Sequence, residues 1–219
     1  MTRHVVWDWN GTLLDDVDHS VTALNRLLTE RSLPCLDRHA YRERFGFPVK
    51  SFYVDLGFDA DHEDFAALSA TFIGHYRVAA QTASPHPEVR HVMSQLAERG
   101  IAQSVLSAME ISLLRQMLAE HDLLEHLQHV RGLSDLQATS KVALGVELMR
   151  SLRAQPDEVL FVGDTLHDLE TARAMGARCL LFTRGHQTAE RLSHSGATLI
   201  DSLHQVLDYA PGAALDGLR

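Results

Sequence analysis

Cysteine, lysine and long apolar runs are all scarce in this chain of 219 residues. Its two cysteines, Cys35 and Cys179, stand far apart in unlike contexts, which argues against a disulfide framework or a zinc site. Such usage suits a reducing compartment. The first strand-like run begins almost at once, with no leader before it, so a cytoplasmic location is expected. No stretch is apolar for long enough to cross a bilayer. Excess positive charge is missing too: a formal net charge of −9 speaks against nucleic acid or an anionic membrane as a partner. Lysine is the scarcest cation, with Lys50 and Lys141 standing against eighteen arginines. Where arginine supplies almost every cation, a surviving lysine points to a need for a compact ammonium. An anionic substrate would need such a local cation, or a metal.

What remains is ordinary for a globular protein: 45% hydrophobic and 22% charged residues, in a length that suits one α/β domain with or without a small insert. Strand-like runs occur at Val5–Asp8, Ile101–Ser107, Val159–Gly163 and Cys179–Thr183, with a weaker one at Thr198–Ile200. Helical patterns lie between them at Glu88–Arg99, Ile111–His121, Val142–Leu152, Leu169–Met175 and Leu203–Tyr209. This alternation predicts a doubly wound parallel α/β sheet. Residues 17–83 break the rhythm with helical patterns (Val21–Arg31, Asp37–Phe45, Glu63–Ala79) and no core strand. They read as a helical cap inserted after the first strand, the core comprising residues 1–16 and 84–219. Pro211–Arg219 reads as a frayed tail.

Chemistry-bearing residues gather where this fold binds ligands, at strand C-terminal ends. The first strand stops on Asp8, followed by Asn10, Gly11 and Thr12. A second strand ends on Ser107. Lys141 opens a helix, with Thr139 and Ser140 as possible caps. A third strand ends in Gly163-Asp164, with Asp168 four residues later, a hard-oxygen arrangement suited to Mg²⁺.

These residues in this order resemble the four motifs of the haloacid dehalogenase superfamily, in its phosphoglycolate-phosphatase-like subgroup with a helical cap. Asp8 to Thr12 resemble the first motif, Ser107 the second, Lys141 the third and Asp164 to Asp168 the fourth. The resemblance implies a phosphatase acting on a small phosphorylated metabolite through an aspartyl-phosphate on Asp8. It also implies Mg²⁺ held by Asp8, the Asn10 carbonyl and Asp164, with Asp168 in support. Ser107 and Lys141 would hold phosphoryl oxygens, and Thr12 would support the site among the substrate-binding residues. A monomer and a homodimer are equally compatible with the chain.

One position departs from the family. Its phosphatases carry Asp where this chain has Asn10, and an amide cannot serve as the acid and base of turnover. Slow hydrolysis is expected, with His167 a candidate to take over proton transfer. Two alternatives stay open: a C–P bond hydrolase that uses Lys50 as a Schiff-base nucleophile, and a catalytically weak phospholigand-binding or regulatory protein. Lys50 could also contact substrate, from a Gly/Pro-containing loop, or be merely solvated. Asp15 closes the first motif and could orient the cap hinge. Of Trp7 and Trp9, one is expected in the core and the other at the cleft. His121, His126 and His129 read as solvated surface. The Asn10-Gly11 pair is expected to deamidate in aged protein, glycine leaving its backbone nitrogen unshielded.

Overall fold

A computed structural model describes residues 1–59, 61–134 and 140–211. Thr139, and the tail beyond Pro211, lie outside the described residues. Strand β1 (His4–Trp7) is followed by a short strand β2 (Leu14–Asp15), helices α1 (Val17–Thr29), α2 (Arg38–Arg44), α3 (Val49–Asp55) and α4 (Phe65–Ala79), and a second short strand β3 (Ser84–Pro85). Helices and strands then alternate: α5 (Val89–Glu98), β4 (Ala102–Glu110), α6 (Ile111–Glu120), β5 (His129–Leu133), α7 (Lys141–Ser151) and β6 (Val159–Gly163). The chain closes with α8 (Leu166–Met175), β7 (Arg178–Phe182), α9 (Ala189–Ser193), β8 (Thr198–Ile200) and α10 (Val206–Tyr209).

Six strands form one parallel sheet in the order β5-β4-β1-β6-β7-β8, the doubly wound α/β architecture expected. β1 and β6 are buried along their whole length, as apolar strands covered on both faces must be. The chain runs outward from β1 to β4 and β5, then crosses back to β6. The C-terminal end of β1, between β4 and β6, is therefore the point where the winding reverses. A crevice opens there in sheets of this kind.

Helices α1 to α4 gather an apolar cluster of their own, built on Leu24, Leu27, Leu28, Tyr41, Phe52 and Tyr53. Phe72 packs against both this cluster and the sheet's core. The chain passes between the two through an antiparallel ribbon, with Leu14 opposite Pro85 and Asp15 opposite Ser84. No helix among the described residues is long and apolar enough to cross a membrane.

Several elements differ from the sequence expectations for local reasons. β4 runs on through Glu110 past Ser107, with its register to β5 broken between Leu106 and Glu110. β5 reads His-Val-Arg-Gly-Leu, its strand signal hidden by the histidine and glycine; as an edge strand it buries only Val130 and Gly132. α8 starts at Leu166, not Leu169, because Thr165 and Asp168 cap it reciprocally. Asp168 thus sits inside the first helical turn. Lys50 lies in α3 rather than in a loop.

Candidate active site

Asp8 is the first residue beyond β1, and its backbone N–H donates to Val162 O of β6 at 2.8 Å. Ser107 on β4 and Asp164 after β6 flank it from the neighbouring strands. Lys141 arrives at the N-terminus of α7, capped by Ser140, whose side chain accepts from Ala143 N. Its buried ammonium lies 2.6 Å from Asp8 Oδ1 and 2.5 Å from Asp168 Oδ1. Burial would strip the proton from Lys141, but Asp168 and Asp8 together hold its pKa above the usual lysine range.

The carboxylates are crowded. Asp8, Asp164 and Asp168 each offer an oxygen, these atoms lie within 4.8 Å of one another, and all three residues are buried. Burial raises Asp8 well above the ordinary carboxylate range, Lys141 opposing this and Asp168 and Asp164 adding to it. Burial also raises Asp164, to about 6. Burial acts on Asp168 too, but Lys141 and the Thr165 hydrogen bonds outweigh it and hold its carboxyl low. One lysine therefore offsets only part of the charge. A cluster of hard oxygens with negative charge to spare fits a divalent cation such as Mg²⁺.

Asp164 is fixed from two sides. Thr12 Oγ1 donates to its Oδ1 at 2.9 Å and His186 N to its Oδ2 at 2.6 Å. A Cβ on Gly11 or on Gly185 would collide with this carboxylate, and Gly11 also has a φ of +73°. The sequence places Thr12 against substrate; its fully buried hydroxyl is instead spent on orienting Asp164. Asp168 Oδ2 accepts from Asp164 N, Thr165 N and Thr165 Oγ1, which fixes the loop that carries Asp164.

Asp8, Asn10, Ser107, Lys141 and Asp168 line one cavity of about 350 Å³. Lys50 is not among its lining residues; it is exposed, with its ammonium 4.7 Å from the Phe65 ring centre. The Schiff-base reading of Lys50 therefore loses its geometry. His167 does line the cavity, stacked on Phe47 at 4.5 Å with Nδ1 2.9 Å from Glu170 Oε2. Both tryptophans are buried and neither lines the cavity. Asp15 is exposed in the ribbon, paired with Ser84.

A buried polar chain beside the cavity has no counterpart in the sequence expectations. Asn10 Nδ2 donates to Asp16 Oδ2 at 2.7 Å and to the Tyr76 hydroxyl at 2.8 Å, and Tyr76 in turn donates to Asp16 Oδ2 at 2.7 Å. Asp16 Oδ1 accepts from Gly11 N at 2.8 Å and faces His186 Nε2 at 3.2 Å. His186 Nδ1 lies 2.9 Å from the Tyr41 hydroxyl. Burial opposes the charge on His186, but Asp16 beside it raises its pKa to about 9. Asp16 itself is pushed up by burial and brought below its usual value by His186, Tyr76 and Asn10. The carboxylate missing at position 10 thus reappears at position 16, bonded to the Asn10 amide. Two sequence signals, neither used, could have led here: Asp16 stands beside the motif-closing Asp15, and the Gly185-His186 turn after β7 follows a strand end. Tyr41 and Tyr76 carry no local signal.

The same contacts count against deamidation. The Gly11 N–H that would attack the Asn10 side chain is committed to Asp16, and the amide is held by two acceptors.

Comparison with known proteins agrees with this arrangement. The family model described as haloacid dehalogenase-like hydrolase matches residues 5–182. A phosphoglycolate phosphatase of Rhodospirillum rubrum is 28% identical over 95% of this chain and 91% of its own length. One of Caulobacter vibrioides is 30% identical over 93% of this chain and 87% of its own. A haloacid dehalogenase-like hydrolase structure from Streptococcus pneumoniae superposes with a TM-score of 0.83 at 18% identity, covering 95% of this chain and 98% of its own. With the motif residues at the strand ends and the family match spanning the whole sheet core up to β7, this chain belongs to the haloacid dehalogenase-like hydrolases.

Proposed function

We propose that this protein is a Mg²⁺-dependent phosphatase that hydrolyses a small phosphate monoester through an aspartyl-phosphate on Asp8. One observation carries the reading: Asp8, Lys141, Ser107 and the Asp164–Asp168 pair meet at the end of β1, where the sheet's winding reverses. The relatives' names agree with it. Residues 17–83 serve as the cap over a core of residues 1–16 and 84–219, swinging about the ribbon that holds Asp15.

Asp8 attacks phosphorus in line, and its carboxylate oxygen replaces the ester oxygen. Lys141 aligns the nucleophile and, with the Ser107 hydroxyl, receives the phosphoryl oxygens. Mg²⁺ held by Asp8, the Asn10 carbonyl and Asp164, with Asp168 in support, would neutralise charge on the transferring group. Asn10 binds without donating a proton, so the acid–base help typically worth about 10²–10⁴ in rate is absent.

Two results test this. Phosphate release from a panel of monoesters should require Mg²⁺ and stop with a chelator. No release from any ester by folded protein would contradict the reading and favour the phospholigand-binding alternative, which Asn10 supports. Separately, Mg²⁺ at about 100 times its Kd should stabilise the fold by about 2.7 kcal/mol. At about 2–4 °C per kcal/mol for a chain of this size, the melting temperature rises by about 5–11 °C. Asp164→Asn should lose most of that shift; an equal shift in both proteins would count against the metal site.

A further inference from the structure

We infer that the ester this site takes is an aryl phosphate, its leaving group a phenol rather than a carboxylate-bearing glycolate; the inference rests on the phosphatase reading above. The cavity beside Asp8 is walled by Phe45, Phe47, Phe72 and Ile73 from the helical segment and by Met109 and Leu113 from the core. Phe47 is 39% exposed and stacks on His167, leaving an aromatic ring partly open to solvent. Stacked and edge-on contacts with an aromatic guest are what such a wall offers.

An anionic leaving group finds no partner there. Among the described lining residues the sole lysine or arginine is Lys141, already shared by Asp8 and Asp168. Arg42, on α2, donates instead to the carbonyl oxygens of Thr183, Gly185 and Gln187. Both nitrogens of His186 are engaged, by Asp16 and Tyr41. Glu110 adds a negative charge to the lining. A glycolate carboxylate brought into this cavity would lose its water among aromatic rings, the Glu110 carboxylate and neutral polar groups such as Ser69 and Tyr53, while Lys141 and His186 are already paired with carboxylates.

Asn10 points the same way by a separate route. With no proton to give from position 10, the site is best matched to a leaving group that is stable as an anion. A phenol has a pKa of about 10, far below that of water, the nearer guide to an alkoxide. In the first step the Asp8 oxygen bonds to phosphorus, the P–O(aryl) bond breaks with its electron pair going to the aryloxide, and the aryloxide takes a proton from water. Water then attacks phosphorus, releasing inorganic phosphate and restoring the Asp8 carboxylate.

The test uses the full-length protein with Mg²⁺ and two pairs of ligands. Phenyl phosphate and phosphoglycolate compare turnover. Benzylphosphonate and 3-phosphonopropionate, their uncleavable analogues, compare recognition without leaving-group reactivity, read by calorimetry. We expect kcat/KM for phenyl phosphate to exceed that for phosphoglycolate by about 10²-fold or more. Benzylphosphonate should bind at least about 10-fold tighter than 3-phosphonopropionate, and Phe47→Ala should shrink that ratio. Phosphoglycolate hydrolysed as well as the aryl ester, or 3-phosphonopropionate bound as tightly, overturns the inference and leaves the phosphatase reading standing. Release from no ester overturns the phosphatase reading, while the phosphonate ratio still scores the cavity.

Discussion

Asp8→Asn is expected to abolish phosphate release, by about 10³-fold or more, without weakening the fold. The two halves follow from different facts. An amide oxygen is a poor nucleophile, and Asp8, one of the two carboxylates beside Lys141, is the one that directly follows β1. Stability moves the other way because burial raises the Asp8 pKa, with Asp164 and Asp168 adding to it. A carboxyl raised in the folded state binds more protons folded than unfolded, so its charge opposes folding increasingly as pH rises above its unfolded value. Removing that charge relieves the penalty, and Lys141 keeps Asp168 as a partner. In metal-free protein at neutral pH the variant should therefore melt at or above the wild-type temperature. A loss of activity matched by early unfolding would make Asp8 a structural residue.

The second large effect concerns Asn10. Asn10→Asp alone should gain little and should destabilise the protein, because its new carboxylate would face Asp16 across what is now a 2.7 Å hydrogen bond. Two buried carboxylates that close cannot both ionise. Losing the amide donor costs about 1–3 kcal/mol, seen as a melting temperature lower by about 2–4 °C for each kcal/mol. Exchanging the pair, Asn10→Asp with Asp16→Asn, keeps the contact and moves the carboxylate to position 10, which lines the cavity. The amide introduced at position 16 would donate to the carboxylate introduced at position 10, while its oxygen accepts from Gly11 N and His186. Turnover of alkyl phosphates should rise by about 10²–10⁴-fold in the double variant. A folded double variant no faster than wild type would show that position 10 does not face the leaving group.

The sheet was legible because β1, β6 and β7 are short apolar runs punctuated by Gly163 and by polar residues at the ligand end. Asp8 and Asp164 were legible for the same reason, since each directly follows a strand, whereas Ser107 lies inside β4, three residues before its end. Lys141 stood out by lysine's rarity. What stayed hidden depended on contacts far apart in sequence. Tyr76 is 66 residues from Asn10, and His186 is 170 from Asp16. Their roles arise only when α4 and the turn after β7 pack against the Asn10–Asp16 segment. Lys50 shows the opposite error: its rarity suggested chemistry, but α3 turns it away from the cavity and onto Phe65. Thr12 was assigned to substrate, but its hydroxyl is buried against Asp164, a contact that sequence alone does not show.

The central claim is that Asp8 carries the phosphoryl group, and acid quenching followed by peptide mass spectrometry tests it most directly. Wild-type protein, Mg²⁺ and phenyl phosphate would be mixed and quenched during the first turnover. Because Asn10 cannot activate the attacking water, the adduct should outlast its formation and accumulate. We expect a phosphoryl group on the peptide containing Asp8, appearing before free phosphate and absent from Asp8→Asn. Phosphate released with Asp8 unmodified throughout, or an adduct that persists in Asp8→Asn, would contradict the mechanism.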